Sequence, residues 1–389
     1  MRSDVERFVR EHLGHLVDGP IVASPSILGG QAAANAALAR FEVTGYARRR
    51  STVEPAPSRG ASGLSPYIRH GLLRLQSVWD AVEGGPVTDV KRFRDELLWQ
   101  EYARHWYARL GAATQRPTRR VPRDTQERTG WDRTLACLDA TVGELEREGW
   151  IPNQARMWLA SDWCVRHGQD WRAGEDLFFR HLLDGSRAAN RLGWQWTTGV
   201  GASKSYGFSR WQVEKRAATL CRACPRRERC PIEDWPTESE RVAARWPSEV
   251  DRTGPRQVPV AGRPERVWLT AESLGLDDAA LAANPSLPVV FVFDEPLLAR
   301  LRLSGKRLIF LAETLAELGQ SRELEVRLGE PAGELVGLRL AVTHAPVPGF
   351  GPLSARLAPV ETHPWPWLLT PGQGSVRSFS AWRKSVTRG

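Results

Sequence analysis

Two runs near the middle of the chain decide the fold: Asp170-Trp-Arg-Ala-Gly-Glu175 and Leu183-Asp-Gly-Ser-Arg-Ala-Ala-Asn-Arg-Leu-Gly-Trp-Gln-Trp196. They lie in a region where six tryptophans fall within 47 residues: Trp150, Trp158, Trp163, Trp171, Trp194 and Trp196. Asn, Asp and Arg recur between them at helical spacing. Composition alone favours a tryptophan-rich helical core, because aromatic side chains dominate cores. The order and spacing of the polar residues favour a more specific interpretation.

Both runs resemble the flavin-binding helical domain of the DNA photolyase and cryptochrome family, to which Trp-Arg-x-Gly-Glu and Asp-Gly-x-x-x-Ala-Asn-x-x-x-Trp-Gln-Trp are specific. The resemblance implies an all-α domain over residues 1–235 that binds FAD. It places Asn190 opposite flavin N5 and pairs Asp184 with Arg156. Ser186 stands where the family has a second acid, a departure that bears on the redox properties of the flavin.

Two tryptophans of this region have a further role in the family. Trp194 corresponds to the tryptophan nearest the isoalloxazine ring, and Trp171 to the next one outward. The resemblance therefore implies that they relay an electron to photo-oxidised flavin. Asn190, Trp194 and Trp171 become catalytic candidates on this basis.

A loop rich in Arg, Pro, Ser and Gly spans residues 46–63. It resembles the family's phosphate-binding loop, which begins at a tyrosine and ends in Ser-x-Leu-Ser-Pro-Tyr. Hydroxyls and backbone N–H groups at a helix start suit a pyrophosphate. The alternative is an ordinary capped helix, since Ser followed by Pro is a common helix start. The resemblance assigns to FAD the residues Tyr46, Ser62, Gly63, Leu64 and Ser65.

An amphipathic helix is predicted over residues 90–110, and it carries Glu96 and Trp99 on one face because they are three residues apart. Taken alone, such a pair is usually a surface motif. In the family, the equivalent Glu and Trp line the cavity that takes a flipped pyrimidine dimer, where Glu accepts hydrogen bonds and Trp stacks. The resemblance therefore makes Glu96 a further catalytic candidate and Trp99 a substrate-binding one.

Three more residues complete the implied substrate cavity: Asn153, Met157 and Trp196. Enzymes acting on cyclobutane dimers carry Asn and Met in Gly-Trp-x-x-Asn-x-x-Arg-Met, whereas the (6-4) enzymes carry histidines there. Asn153 and Met157 therefore imply cyclobutane pyrimidine dimers as the substrate.

Three of the five cysteines form a Cys-x-x-Cys pair, Cys221 and Cys224, with Cys230 six residues further on. This spacing is a strong signal for a metal or a cluster. No histidine is near enough to complete a zinc site, so the fourth thiolate comes from Cys137 or Cys164. A clade of bacterial iron–sulfur photolyase-like proteins takes its first ligand at the position of Cys137, which implies a four-iron four-sulfur (4Fe-4S) cluster on Cys137, Cys221, Cys224 and Cys230. Zinc is the alternative, because thiolate sets bind either.

The composition changes after a predicted linker at residues 236–264. Four strands are predicted at residues 267–270, 289–293, 324–328 and 338–342, with helices between them, including one at 306–318. Alternating strands and helices predict a small Rossmann-like parallel α/β domain over residues 265–389. Its order resembles the N-terminal α/β domain of photolyases, including the closing motif Ser378-Phe-Ser-Ala-Trp-Arg-Lys384. The resemblance implies a circular permutation, which is tolerated when chain termini lie close together.

The chain has 389 residues and a net charge of +9, which suits a polyanionic partner such as DNA. A basic loop at residues 115–128 is a candidate for phosphate contacts. The absence of a long apolar run argues against a membrane span, and we expect a cytoplasmic protein. The resemblance implies light-driven repair of ultraviolet-damaged DNA by an electron from excited reduced flavin. The alternatives are a cryptochrome-like light or redox receptor without repair activity, and a flavin-free zinc-binding helical DNA module.

Overall fold

The computed structural model describes residues 2–116, 119–120, 128–202, 204–236, 242–243 and 246–388. Its first half is built from helices and its last third contains a parallel sheet. The helices of the first half are α1 (Arg2–Phe8), α2 (Gln31–Arg40), α3 (Tyr46–Arg49), α4 (Ser65–Arg69), α5 (Leu75–Asp80), α6 (Val87–Leu110), α7 (Ala136–Glu148), α8 (Asn153–Ala160), α9 (Trp171–His181), α10 (Ala189–Thr198) and α11 (Arg210–Ala223).

The sequence predicts a regular helix over residues 5–17, and the structure shows a helical segment whose winding changes along its length. Helix α1 passes into a π-helical turn at Val9–Leu13 and a 3-10 turn at Gly14–Leu16. The apolar residues remain buried through both turns. An apolar period near 3.6 detects the buried face of a helix. It does not distinguish a uniform α-helix from one that passes into π-helical and 3-10 hydrogen bonding.

Helix α6 is the longest in this part of the chain, at 24 residues, and it contains the predicted helix over 90–110. It follows Pro86, and Asp89 in its first turn accepts the backbone N–H groups of Gly45 and Ala47 at 2.8 Å each. It ends at Leu110 and is followed by Gly111, whose φ of 53° favours glycine. The acid near the start and the glycine after the end explain both boundaries.

The last third of the chain forms a five-stranded sheet with helices α12 (Ala279–Ala283), α13 (Glu295–Leu301), α14 (Gly305–Leu318), α15 (Pro331–Glu334), α16 (Phe350–Leu357) and α17 (Phe379–Ser385). Its strands are β1 (Arg266–Leu269), β2 (Val289–Asp294), β3 (Leu324–Gly329), β4 (Leu340–Thr343) and β5 (Glu361–His363). All neighbours are parallel, in the order β3-β2-β1-β4-β5. The predicted parallel α/β fold is therefore confirmed, with one strand more than predicted. Strand β5 was missed because it is three residues long and reads Glu-Thr-His, without an apolar run.

One hydrophobic core joins the sheet to the N-terminal helices. It contains Val9 near α1, Leu97 of α6, Val289 and Phe291 of β2, and Phe310 of α14. A second core lies around helices α7 to α11. The division into residues 1–235, 236–264 and 265–389 stays a prediction, but the apolar surfaces of the sheet and of the N-terminal helices are buried together.

Two predicted segments are only partly described. Within the predicted linker at 236–264, residues 237–241 and 244–245 lie outside the described residues, and Val242–Ala243 pairs antiparallel with Arg119–Arg120. Within the basic loop at 115–128 that is predicted to contact DNA, residues 117–118 and 121–127 also lie outside the described residues. Among the described helices, none combines the length and apolar character that a membrane crossing requires.

Candidate functional site

The centre of the candidate site is an ion pair between α8 and the segment before α10. Arg156 Nη2 donates to Asp184 Oδ2 at 2.8 Å, and Arg156 Nε donates to the Ile151 carbonyl at 3.0 Å. The Asp184 side chain is 6% exposed and that of Arg156 is 20% exposed. The pairing that the resemblance implies is present. Asp184 Oδ1 is buried and has no hydrogen-bond partner among the described residues.

Asn190 lies in the first turn of α10, and its backbone N–H donates to the Ser186 carbonyl. Its side chain is buried, and Nδ2 has no hydrogen-bond partner in the described part of the chain. Ser186, which replaces the second acid of the family motif, accepts the Ala188 N–H on its hydroxyl at 3.0 Å. Ser186 therefore supports the start of α10 and adds no charge beside Asp184.

Trp194 forms an apolar wall one turn further along α10. Its ring packs edge-to-face on Phe178 of α9, with 5.0 Å between centroids. A Cβ atom at Gly174 would lie 2.2 Å from the Trp194 ring, so only glycine at this position admits the indole. Trp171 begins α9, is buried, and has the Arg172 guanidinium 4.7 Å from its ring centroid. Both tryptophans are thus held on α9 and α10, and the relay between them stays a prediction.

The predicted phosphate loop ends at the start of α4. Ser62 Oγ accepts the Leu64 N–H at 3.4 Å, and Ser65 Oγ accepts the Trp150 indole N–H at 3.0 Å. Gly63 has a φ of 69° and no heavy atom within 4 Å of a Cβ built there, so this position is open. Leu64 is fully buried and anchors the loop. Helix α4 has Pro66 in its first turn, but no side chain caps its start, so the capped helix of the alternative interpretation is not found.

Tyr46 starts α3 at the other end of this loop and is buried against α6. Its ring meets Phe93 edge-to-face at 5.0 Å. Burial raises the pKa of the Tyr46 phenol, and the charge of Glu96 raises it further. The structure therefore gives Tyr46 a packing role, and its contact with a cofactor stays a prediction.

The predicted substrate residues on α6 have partners from other parts of the chain. Arg50 donates to Glu96 at 2.7 Å, while burial raises the pKa of the Glu96 carboxyl. Trp99 stacks on Phe379 of α17 at 4.2 Å and 14°, yet remains 37% exposed. One face of the indole is therefore covered by the C-terminal helix.

The remaining predicted substrate residues lie on α8 and α10. Asn153 is exposed and donates through Nδ2 to Met157 Sδ at 3.6 Å. Trp196 is 43% exposed and lies 6.1 Å from Tyr206. Helix α10 packs against both α6 and α8, so it lies between the two helices that carry the other candidates.

The four predicted cysteine ligands line one small cavity together with Leu135, Arg210 and Ile232. Cys137 lies in the first turn of α7, Cys221 near the end of α11, and Cys224 and Cys230 after it. Burial raises the pKa of Cys221 to about 11 and also raises that of Cys137. In the described ranges, no group of three or more His, Cys, Asp or Glu side chains is arranged to hold one metal ion. Cys164 is buried and does not line this cavity.

A buried network that the sequence analysis did not single out fixes α10 on its other side. Glu175 of α9 pairs with Arg187 at 3.0 Å and with Arg191 at 3.1 Å. Arg191 Nη1 donates to the Thr114 hydroxyl at 2.9 Å. Glu175 belongs to the Trp-Arg-x-Gly-Glu motif, so the sequence carried a signal for this residue. Its partners lie outside the motif, so the motif did not predict the ion pairs.

A second contact that the sequence did not predict joins the site to the predicted α/β domain at 265–389, here called the sheet domain. Arg307 of α14 is buried and donates to two backbone carbonyls. One is that of Phe179, near the end of α9, and the other is that of Gly185, at 3.1 Å. A Cβ at Gly185 would lie 2.9 Å from Arg307 Nη1. Arg69 Nε also donates to the Gly185 carbonyl, at 3.1 Å. Glycine after Asp184 therefore allows the sheet domain to hold the segment that carries the acid.

A family model described as the FAD-binding domain of DNA photolyase matches residues 93–219. Those residues are therefore similar to the FAD-binding domain of DNA photolyases. We call this matched region the photolyase domain; it contains the Arg156–Asp184 pair, Asn190, Trp171 and Trp194. Tyr46 and the Ser62–Ser65 segment precede it, and the three clustered cysteines follow it.

The curated relatives match a larger share of the chain than the family model does. The deoxyribodipyrimidine photo-lyase of Synechococcus sp. is 29% identical over 211 residues, which is 49% of this chain and 42% of that protein. An enzyme of that name from Thermus thermophilus is 32% identical over 197 residues, 46% of this chain and 45% of that protein. The matches thus span less than half of either relative.

Solved structures of photolyases and cryptochromes are also similar to this chain. A bacterial class III photolyase from Agrobacterium tumefaciens is 27% identical with a TM-score of 0.42, over 49% of this chain and 43% of that chain. A cryptochrome from Synechocystis sp. is 20% identical with a TM-score of 0.43, over 52% and 47%.

Replacing Arg307 by Leu should loosen the photolyase domain from the sheet domain. The Phe179 carbonyl would lose its donor, and a buried polar group left unpaired costs about 1–3 kcal/mol. Retention of FAD should fall as well, because Gly185 is adjacent to Asp184. Thermal melting and flavin absorbance after desalting measure both effects.

The exposed Arg300 of α13 provides the matched control, Arg300→Leu. Equal melting temperatures and equal flavin contents for the two variants would show that Arg307 does not support the site.

Proposed function

We propose that this chain binds FAD beside α8, α9 and α10 and uses it to repair cyclobutane pyrimidine dimers in DNA with light. The observation that carries the proposal is a pair of buried polar atoms, Asn190 Nδ2 and Asp184 Oδ1, which lack partners among the described residues. Such atoms cost free energy unless a polar ligand meets them. The polar edge of an isoalloxazine ring, with Trp194 as an apolar wall, suits this arrangement.

The residues of the chain would position the cofactor. Arg156 holds Asp184 in place, and Arg307 and Arg69 hold the adjacent Gly185 carbonyl. Gly63 leaves open space at the start of α4 where a pyrophosphate could approach backbone N–H groups. When bound and reduced, FAD supplies the light-excited electron that opens the cyclobutane ring. Buried Trp171 and Trp194 keep water from this side of the site.

The substrate side of the proposal depends on exposed side chains. Trp99 and Trp196 are large aromatic residues with 37% and 43% exposure, and exposed aromatic groups of this size commonly mark binding surfaces. They would stack on the flipped pyrimidines, with Glu96 and Asn153 facing polar atoms and Met157 packing beside them. The curated relatives that carry the name deoxyribodipyrimidine photo-lyase support this substrate class.

We also propose that Cys137, Cys221, Cys224 and Cys230 hold a four-iron four-sulfur cluster. Four thiols line one cavity, one from α7, one from near the end of α11 and two from the segment after it, which supports a shared ligand. A single zinc ion needs its sulfurs within about 2.3 Å of one centre. A cluster spaces its cysteines more widely because each thiolate binds a different iron.

The sheet domain at the C-terminus fits a permuted family order. Its five parallel strands are followed by α17, which contains the predicted closing motif. Phe379 of this motif stacks on Trp99 of the photolyase domain. We propose that the sheet domain is the family's N-terminal α/β domain placed after the helical one.

Replacing Trp99 by Ala should weaken binding of dimer-containing DNA by roughly ten- to a hundredfold, because stacking is worth about 1–3 kcal/mol per base. Fluorescence anisotropy with oligonucleotides of equal length, with and without one thymine dimer, measures the effect. Trp99→Phe, which keeps an aromatic face, should retain most of the affinity. The proposal fails if Trp99→Ala lowers the affinity for damaged and undamaged DNA equally.

A further inference from the structure

A line of aromatic side chains continues from Trp196 of α10 into the segments before and after α11. Trp196 lies 6.1 Å from Tyr206, and Gly207, next in sequence, packs against Trp235. Trp235 in turn lies 6.1 Å from Trp211. Trp211 and Trp235 are each 55% exposed, which is unusual for tryptophan. We infer that this aromatic track, Trp196-Tyr206-Trp235-Trp211, binds an unpaired strand of nucleic acid.

The track is held in place by contacts that a flexible loop would lack. The Tyr206 hydroxyl accepts hydrogen bonds from Gln154 of α8 and Gln212 of α11, both at 2.6 Å. Its backbone N–H donates to the Thr197 carbonyl at 2.7 Å. A Cβ at Gly207 would lie 2.8 Å from the Trp235 ring, so glycine allows the indole to lie against the backbone. The rings are therefore presented on a rigid support, which limits the entropy lost when a ligand stacks on them.

The charge around the track matches a polyanion. Residues 204–236 carry eight Lys and Arg against four Asp and Glu. Lys215 Nζ lies 4.7 Å from the Trp211 ring centroid, so a cation stands beside an exposed aromatic face. Arg222, Arg226, Arg227 and Arg229 are exposed on the same segment. Exposed aromatic faces flanked by cations are the usual means of binding single strands without sequence preference.

An unpaired strand suits the track better than a duplex does. An indole can stack only on a base whose face is free, and the bases of a duplex are already stacked on one another. Trp196 is also the residue proposed to meet a flipped lesion, so the track would lead the neighbouring nucleotides away from it. This last connection rests on the proposed function, whereas binding of an unpaired strand does not require FAD or a lesion.

The test uses the full chain in the dark with undamaged DNA. Anisotropy titrations with a short labelled oligo-thymidine, and with a duplex of the same length, compare the original chain with Trp211→Ala, Trp235→Ala and Arg226→Ala. Each Trp→Ala change should weaken oligo-thymidine binding about tenfold and leave duplex binding unchanged. Trp211→Phe should retain most of the affinity. Arg226→Ala should weaken both ligands similarly and reduce the salt dependence.

Three outcomes would overturn the inference. The first is an unchanged affinity for oligo-thymidine, and the second is an equal loss of affinity for both ligands in the Trp→Ala variants. The third is a change in the mass of the protein assembly, measured by sedimentation, without a change in DNA affinity. The last result would identify the track as a contact between copies of this chain. The FAD content of each variant, measured on the same samples, separates this inference from the proposed function. A chain that lacks flavin or repair activity but binds oligo-thymidine through Trp211 and Trp235 would support the track alone.

Discussion

Asp184→Ala should abolish retention of FAD and destabilise the photolyase domain. The Asp184 carboxylate is almost fully buried and accepts from Arg156 at 2.8 Å. Removing one partner of a buried pair typically costs about 3–5 kcal/mol, because the other charge is left without compensation. Since Arg156 also donates to the Ile151 carbonyl and is partly exposed, we expect the lower end of this range.

The loss of flavin has a separate physical cause. Asp184 Oδ1 faces the site without a partner from the described residues, so the mutation removes a polar atom proposed to meet the cofactor. Flavin absorbance relative to protein after desalting measures retention, and chemical denaturation measures stability. The exposed pair between Glu330 and Arg356 provides the control, since its loss should cost only about 0–1 kcal/mol. An Asp184→Ala protein with the flavin content of the Glu330→Ala protein would refute the assigned site.

Cys221→Ser should remove iron from the protein and lower its stability. Of the four cavity cysteines, Cys137 lies on α7, Cys221 near the end of α11, and the other two after α11, so a shared cluster would tie these segments together. Metal binding requires deprotonated thiols, and the free energy of binding adds to that of folding. Burial, together with the nearby charge of Glu214, raises the pKa of Cys221 to about 11, so a thiol there would stay protonated near neutral pH without a metal.

Iron and acid-labile sulfide, assayed after anaerobic purification, measure the cluster. Cys164→Ser is the matched control, because Cys164 is buried in the same core but does not line the cavity. We expect the control to keep its iron and Cys221→Ser to lose it. Stoichiometric zinc without iron in the unmodified protein would instead favour the zinc alternative.

The sequence predicted the parts of the site that are encoded locally. The family resemblance of the Asp-Gly and Gly-Trp-x-x-Asn-x-x-Arg-Met runs implied the pairing of Asp184 with Arg156, and the structure contains this ion pair. The parallel sheet was predictable from apolar runs separated by helices. Strand β5 was not, because its three residues carry no apolar pattern.

Contacts between distant segments could not be predicted in the same way. Arg307 meets the Gly185 carbonyl across 122 positions, and neither neighbourhood carries a signal for the other. Phe379 was assigned to a closing motif of the sheet domain, but its stacking on Trp99 depends on how α17 packs on α6. Glu96 was assigned to a substrate, while the structure pairs it with Arg50 from the loop 46 positions earlier. These contacts depend on tertiary packing, which a local pattern does not specify.

The most direct test of the central claim is light-driven repair by FAD-loaded, fully reduced protein. The substrates are an oligonucleotide with one thymine cyclobutane dimer and a second with a (6-4) product, each incubated in light and in the dark. We predict that absorbance of intact thymine returns only for the cyclobutane dimer and only in light, since Asn153 and Met157 replace the histidines of the (6-4) enzymes. If neither lesion is repaired and damaged and undamaged DNA bind equally well, the repair function is wrong and the chain is better explained as a light or redox receptor.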